Sequence, residues 1–213
     1  ADFNWSREPT DEERAMIFLH AYDRGGSYVA GIAGTELPIG VPTHHPQGAE
    51  FDPRVPAYHL TLIPDQEDWR QPYVLNPKGY KFTEPKWVCS PRLERAIALG
   101  YEPEILESYT WPQHGRVLLQ WYERLRDAST ILDTDDPDCQ AARNQSKVVR
   151  NSGIGIIGSD TFLKGKTGYN PERRLHVMAK ANANIAYRIN EIGMKTGRFP
   201  VAVLKDTVFY ASN

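Results

Sequence analysis

Residues 22–28 carry side chains that could bind a metal ion and phosphate. Asp23 follows a short apolar run and precedes a Gly-Gly turn, and Tyr28 lies five residues further on. Carboxylate oxygens are ligands that Mg²⁺ prefers, and backbone N–H groups of a following turn can hold phosphate oxygens. An aspartate before Gly-Gly is more often an ordinary turn residue, so these residues alone favour a plain turn.

Residues 147–155 form a second segment of this kind. Lys147 and Arg150 are three residues apart, so on a helix both would lie near one face, where a cation could contact a triphosphate. The alternative is a solvated basic face that ends at residues 151–153, Asn-Ser-Gly. The spacing alone slightly favours this alternative.

The third segment is residues 204–210, where Asp206 lies between two β-rich runs. Its simplest interpretation is a hairpin turn. The functional alternative is that Asp206 lies across from Asp23, so that the two carboxylates hold Mg²⁺ together. Two-metal sites align an attacking hydroxyl with a leaving pyrophosphate oxygen and neutralise the charge that develops.

The order and spacing of these segments resemble those of family B DNA polymerases, and residues 87–111 resemble the segment between the first two motifs in protein-primed members. Asp23 and Tyr28 match the metal ligand and the sugar-facing tyrosine of the first polymerase motif. Asp206, followed by Thr207, matches the second aspartate of the third motif. The second motif, Lys-x-x-x-Asn-Ser-x-Tyr-Gly, is matched at four positions, namely Lys147, Asn151, Ser152 and Gly155. The likeness extends over residues 17–211.

The resemblance implies a DNA polymerase-like nucleotidyltransferase core that adds dNTPs to a DNA primer–template. In it, Asp23 and Asp206 would be the catalytic residues and would hold two Mg²⁺ ions. Lys147 would bind the triphosphate, and Tyr28 would lie under the sugar and exclude a 2′-hydroxyl. Asn151 and Gly155 would shape the pocket for the nascent base pair.

Three departures from the family pattern suggest an alternative function. Ser27 replaces a leucine, Ile154 replaces the tyrosine of the second motif, and Leu204 replaces the first aspartate of the third. Because one negative charge is lost, weaker Mg²⁺ binding is expected. The alternative is a catalytically inactive, polymerase-derived module that binds DNA or a replication protein, as in mobile-element or linear-replicon replication. A coincidental match in an unrelated protein would be indicated by a large separation of Asp23 and Asp206.

The composition narrows the classes of protein. The 213 residues fit one domain, and 40% hydrophobic with 24% charged residues is typical of a folded chain. A net charge of −2 means that any nucleic-acid binding must use a local basic patch. Two cysteines without metal-type spacing favour a reducing compartment. No apolar run approaches the roughly 20 residues of a membrane span and no signal peptide begins the sequence, so we expect a cytoplasmic protein without a membrane partner.

The pattern of elements predicts an α+β fold, with a polymerase-palm-like antiparallel sheet flanked by helices and a projecting helical hairpin. Residues 1–213 are expected to form one palm-like domain in which residues 112–155 are a finger-like subdomain, without exonuclease or thumb domains. The apolar run 15–22 predicts a buried strand, with a short helix at 11–14 as the alternative. Ser90 is predicted to cap a helix that stops at Gly100.

Further elements follow from periodicity. Helices are predicted over 112–132, from about 138 to Gly153 or Gly155, and over 172–193 with Leu175 among the inward-facing residues. Strands are predicted at 58–63, 87–89, 105–111, 200–204 and 208–210.

Overall fold

The structure, a computed structural model, describes residues 2–23, 27–79 and 84–213, and Asn151 only through its backbone. The helices and strands in this part of the chain confirm the predicted α+β class. In chain order they are β1 (Phe3–Ser6), α1 (Asp11–Arg14), β2 (Phe18–Asp23), α2 (Ser27–Ile32), β3 (Leu37–Pro38), β4 (Thr43–His45), β5 (Ala57–Leu62), β6 (Lys86–Cys89), α3 (Ser90–Ala98), β7 (Glu104–Thr110), β8 (His114–Gly115), α4 (Leu119–Ile131), α5 (Pro137–Ile157), α6 (Asp160–Leu163), α7 (Pro171–Thr196), β9 (Ala202–Lys205) and β10 (Thr207–Ser212).

Two four-stranded antiparallel sheets organise these elements. The first sheet has the order β1-β9-β10-β2 and joins strands from both ends of the sequence. The second has the order β4-β7-β5-β6, and β3 pairs with β8 in a separate short ladder. Sequence-distant strands therefore meet in the first sheet, which is the one that carries Asp23.

Helix α7 is the central helix. It begins with Pro171 and ends at Gly197, whose φ of 71° is the left-handed conformation that glycine adopts without strain. It contacts α2, α3, α5, β3 and β6. Small buried residues let α2 approach α7 closely. A Cβ at Gly31 of α2 would lie only 3.1 Å from the carbonyl oxygen of Val177 in α7.

The main core lies between α7, α3 and the first sheet. Alternation along β1 buries Phe3 and Trp5, which pack with Val203 of β9 and with Ile185 and Ile189 of α7. A second cluster of Ile32, Leu37, Ile154 and Val177 joins α2, α5 and α7. This second cluster supports the base of the α4–α5 hairpin.

The predicted buried strand at 15–22 is wrong in its burial and its start. Strand β2 begins at Phe18, and all six of its residues are exposed. The reason is that, among the described helices and strands, only β10 lies closely against it, so neither face of this edge strand is covered. The alternative helix at 11–14 is confirmed as α1, and Thr10 and Glu13 form a capping box at its start.

Three smaller predictions are also corrected. Ser90 is the first residue of α3, not its N-cap, because its hydroxyl donates to the carbonyl groups of Val55 and Ala57. Helix α5 continues through Gly153 and Gly155 to Ile157. Leu175 is 42% exposed because it lies on a surface cavity, away from the core. None of the helices in the described ranges is both long enough and apolar enough to cross a membrane.

Candidate active site

Two aspartates lie at the same end of the first sheet. Strand β2 ends at Asp23, and its pairing with β10 makes Thr207 the Cα partner of Asp23. Asp206 directly precedes Thr207, in the two-residue turn between β9 and β10. In this turn Lys205 has a left-handed φ of 56°, a conformation common in tight hairpins but costing a side-chain-bearing residue about 1–2 kcal/mol. The strand pairing therefore brings together the two predicted metal ligands.

Negative charge is concentrated at this end of the sheet. Partial burial raises the pKa of the Asp206 carboxyl, and the carboxylates of Asp23 and Asp2 raise it further, against the lowering effects of its own backbone N–H and of Lys205. Crowded carboxylates of this kind are relieved by a bound cation. Asp23 is exposed and Asp206 is half-buried, so both are open to a ligand from solvent.

The donor set fits Mg²⁺ better than a metal enclosed by protein. Within the described part of the chain, no three His, Cys, Asp or Glu side chains are grouped closely enough to hold a metal ion. Mg²⁺ is commonly bound through one or two carboxylates, with water and substrate phosphates as its other ligands. Asp23 and Asp206 are oxygen donors of that number and kind.

Tyr28 lies in the first turn of α2, next to the carboxylates. Its hydroxyl donates to Oδ1 of Asp2 at 3.0 Å, and its half-buried ring packs against the cluster that contains Ile32 and Ile154. Burial raises the pKa of Tyr28, and the carboxylates of Asp2 and Asp206 raise it further. Three residues of the predicted glycine turn, 24–26, lie outside the described residues. Tyr28, Asp23 and Asp206 thus occupy one region.

The predicted nucleotide-binding residues Lys147, Asn151 and Gly155 lie on helix α5. Among the described residues, Lys147 and Gly155 make no hydrogen bond or ion pair with Asp23, Asp206 or Tyr28. Lys147 is exposed and forms no ion pair within the described ranges, and a Cβ at Gly155 would meet nothing within 4 Å. The side chain of Asn151 lies outside the described residues. Helix α5 approaches Tyr28 through Ile154.

Comparison with known proteins bears on this arrangement. No family model matches the sequence, and no curated protein matches it. The structure is similar over its whole length to phi29 DNA polymerase in complex with primer-template DNA and incoming nucleotides, with a TM-score of 0.62 and 14% identity. For phi29 DNA polymerase in complex with single-stranded DNA the TM-score is 0.62 and the sequence identity 13%. For its binary complex with primer-template DNA the TM-score is 0.60 and the identity 13%.

The chain has a fold similar to that of part of phi29 DNA polymerase. At this level of identity the likeness establishes the fold alone, and the chain spans 41% of the length of the phi29 chains in these three complexes. This similarity agrees with the predicted α+β class of antiparallel sheets flanked by helices, whereas the division into palm and fingers stays a prediction.

Two of the three departures from the family motifs, Leu204 and Ile154, lie in different environments. Leu204, which stands where the third motif has its first aspartate, is 51% exposed and is the Cα partner of Asn4 in β1. Ile154, which stands where the second motif has tyrosine, is only 5% exposed and packs with Val177 and Leu37. Leu204 thus places an apolar side chain beside the carboxylates, whereas Ile154 contributes to packing.

Asp2 is a site residue that the sequence analysis missed. Its carboxylate accepts the hydrogen bond from Tyr28 and contributes to the raised pKa of Asp206. A signal was present: Phe3 and Trp5 alternate with polar residues, which predicts a strand with Asp2 at its start. What the alternation could not predict is that this strand pairs with β9.

Several other polar side chains that could in principle bind a metal ion or phosphate have partners within the protein. Nε2 of His44 lies 2.8 Å from Glu107, and Nδ1 of His59 lies 2.8 Å from the hydroxyl of Ser108. Arg173 donates to the carbonyl of Pro38, and Arg174 to that of Gly158. The positive charge of Arg174 partly opposes the rise in the pKa of Tyr28, because a nearby cation favours the ionised phenol.

Proposed function

We propose that this chain is the palm and fingers region of a DNA polymerase, and that it binds Mg²⁺ and a dNTP for nucleotidyl transfer to a DNA primer. The observation that supports this most strongly is the pairing of β2 with β10. It brings Asp23 beside Asp206 in a fold that matches phi29 DNA polymerase over 100% of this chain. A coincidental match of the motifs would not require these aspartates to meet.

Asp23 and Asp206 are the proposed metal ligands. When bound, Mg²⁺ supplies electrostatic stabilisation of the phosphate charge that develops during the transfer. The two carboxylates attract and orient the cation at the end of the sheet. The exposure of Asp23 leaves room for water or phosphate oxygens to complete its coordination.

Lys147 and Tyr28 are the proposed nucleotide contacts. Lys147 is an exposed cation without an ion pair in the described part of the chain, so binding a triphosphate would break no existing interaction. Tyr28 lies between the carboxylates and the base of the α4–α5 hairpin, where its ring could support the sugar. Gly155 leaves open space on α5 for the base pair, and Asn151 is proposed to border the same space.

The test is calorimetric titration of Mn²⁺ and a dNTP into the wild-type chain and the variants Asp23→Ala and Asp206→Ala. We expect metal-dependent nucleotide binding that each variant weakens at least tenfold. Asp135→Ala is the matched control, because Asp135 is an exposed acid in the turn between α4 and α5. Binding that both active-site variants retain would contradict the proposed site.

One observation favours a second candidate, a catalytically inactive palm that binds DNA. Leu204 is an exposed apolar side chain beside the carboxylates, at the position where the family has an aspartate. In this case fluorescence anisotropy would detect DNA binding that needs no metal and is unchanged in Asp23→Ala and Asp206→Ala. Primer extension by the wild-type chain would exclude this candidate.

A further inference from the structure

A third carboxylate, that of Asp2, lies at the same end of the first sheet as Asp23 and Asp206. Asp2 precedes β1, and Phe3 is the Cα partner of Lys205, which is the neighbour of Asp206. The half-buried Asp2 carboxylate is close enough to Asp206 to raise its pKa. Asp2 is therefore part of the site's surroundings although the family motifs do not include it.

The carboxylate of Asp2 holds the far end of the Tyr28 side chain. Oδ1 of Asp2 accepts a hydrogen bond of 3.0 Å from the Tyr28 hydroxyl. The other end of Tyr28 belongs to α2, and its ring packs against Ile154 and Ile32. A ring fixed at its backbone, along its face and at its hydroxyl has one allowed position, whereas an apolar contact alone permits small rotations.

The hydrogen bond links the first sheet directly to the second cluster. Asp2 belongs to the first sheet, which carries the carboxylates, and Tyr28 belongs to the cluster that supports the helical hairpin. The position of Tyr28 relative to Asp206 is thus set by Asp2.

We propose that Asp2 is a positioning residue that fixes Tyr28 and thereby sets how well the site distinguishes deoxyribonucleotides from ribonucleotides. This inference rests on the proposed function, because it assigns the sugar of the bound nucleotide to the neighbourhood of Tyr28. Asp2 itself touches neither metal nor substrate. Its charge attracts the cation equally whichever nucleotide is bound, so the ratio of the two affinities isolates its effect on Tyr28.

The experiment measures the dissociation constants of dATP and ATP, each with Mn²⁺, by calorimetry. The proteins are the wild type, Asp2→Ala, Asp2→Asn, Tyr28→Phe and the double variant Asp2→Ala/Tyr28→Phe. We expect the wild type to prefer dATP and Asp2→Ala to lower that preference about three- to tenfold, which is the effect of losing one hydrogen bond of about 1 kcal/mol. Tyr28→Phe should match Asp2→Ala, and the double variant should be no worse than either.

Asp2→Asn separates the hydrogen bond from the charge. An asparagine oxygen can still accept from the Tyr28 hydroxyl, so we expect a dATP preference within about twofold of the wild type even if Mn²⁺ binds more weakly. Arg92, whose guanidinium lies in the field of both Asp2 and Tyr28, loses the same negative charge in Asp2→Asn and Asp2→Ala. A difference between these two variants therefore reports on the hydrogen bond.

The outcomes separate this inference from the proposed function. An unchanged dATP preference in a folded Asp2→Ala variant, or additive losses in the double variant, would overturn the role of Asp2 alone. Absence of nucleotide binding in the wild type would overturn the proposed function and the sugar selectivity with it. Thermal unfolding of the same variants confirms that each is folded before its affinities are compared.

Discussion

The indole ring of Trp121 in α4 occupies the space that a side chain at Gly153 of α5 would need. A Cβ at Gly153 would lie 2.7 Å from Cζ2 and 2.9 Å from Cη2 of Trp121. This contact sets the separation of the two helices in the α4–α5 hairpin. It also explains why a glycine lies within a continuous helix, where glycine is intrinsically unfavourable.

Gly153→Ala is expected to destabilise the protein by about 1–3 kcal/mol, because the added methyl group overpacks the contact with the rigid Trp121 ring. Gly155→Ala is the matched control in the same helix. A Cβ at Gly155 meets nothing within 4 Å, so this variant should gain up to about 1 kcal/mol from helix propensity. Urea unfolding measures both values, and equal effects would contradict the assigned packing.

Ile154→Tyr restores the tyrosine of the family motif but should destabilise the protein by about 1–3 kcal/mol. Ile154 is 5% exposed, and the space around it is filled by Ile32, Leu37 and Val177. A tyrosine ring would overpack that cluster and bury its hydroxyl. Ile154→Val, which only removes a methyl group, should cost about 0.5–1.5 kcal/mol. A Tyr variant as stable as the wild type would show that the cluster adapts.

Glu13→Gln should lower the free energy of unfolding by about 2–3 kcal/mol at pH 7, because Glu13 forms a two-point ion pair with Arg7. Nη2 of Arg7 lies 2.6 Å from Oε1 of Glu13, and Nη1 lies 2.7 Å from Oε2. The Glu13 side chain is only 16% exposed and that of Arg7 only 6%. Glu8→Gln is the control, since Glu8 is 90% exposed in its pair with Arg14. It should cost under about 0.5 kcal/mol.

The effect of Glu13 has a defined pH dependence. The hydrogen bond from Arg7 is the main cause that lowers the pKa of Glu13 in the folded protein below its ordinary value of 4.5. A carboxyl with a lowered pKa stabilises the fold fully above its unfolded pKa, and this stabilisation is lost as the pH falls through the folded pKa. The difference between wild type and Glu13→Gln should therefore be constant above about pH 5.5 and shrink below about pH 4.5. A difference that stays unchanged from pH 5.5 down to pH 3 would contradict this assignment.

Asp206→Asn should abolish Mn²⁺ binding and should stabilise the protein by about 0.5 kcal/mol at pH 7. The stabilisation is small because solvent screens the partly exposed charge. Burial and the neighbouring carboxylates raise the pKa of Asp206, so its ionised form costs stability above the folded pKa. That cost disappears as the pH falls below the unfolded pKa, and the two proteins should then be equally stable. Thermal unfolding at several pH values tests this, and a destabilised Asn variant at pH 7 would contradict it.

Local sequence patterns predicted most of the elements correctly. Alternation predicted strands near β5, β7, β9 and β10, and apolar periodicity predicted the helices α4, α5 and α7. The helix predicted over 112–132 is wrong in its start, because β8 lies at His114–Gly115 and α4 begins at Leu119. The order of Asp23, Lys147 and Asp206 with their neighbours predicted a polymerase-related fold, because motif spacing is a property of the chain itself. The environments of these residues were not predicted in the same way, since burial depends on which elements lie opposite.

Only the tertiary structure decided which residues meet at the site. The pairing of β2 with β10 joins Asp23 to Asp206, and the pairing of β1 with β9 adds Asp2, a residue that no motif marks. The edge position of β2 makes an apolar strand exposed, against its predicted burial. Sequence by itself fixes periodicity, spacing and charge, all of which are local. Strand pairing is a long-range choice made by the packing of the whole core, so the third carboxylate and its hydrogen bond to Tyr28 became visible only in the fold.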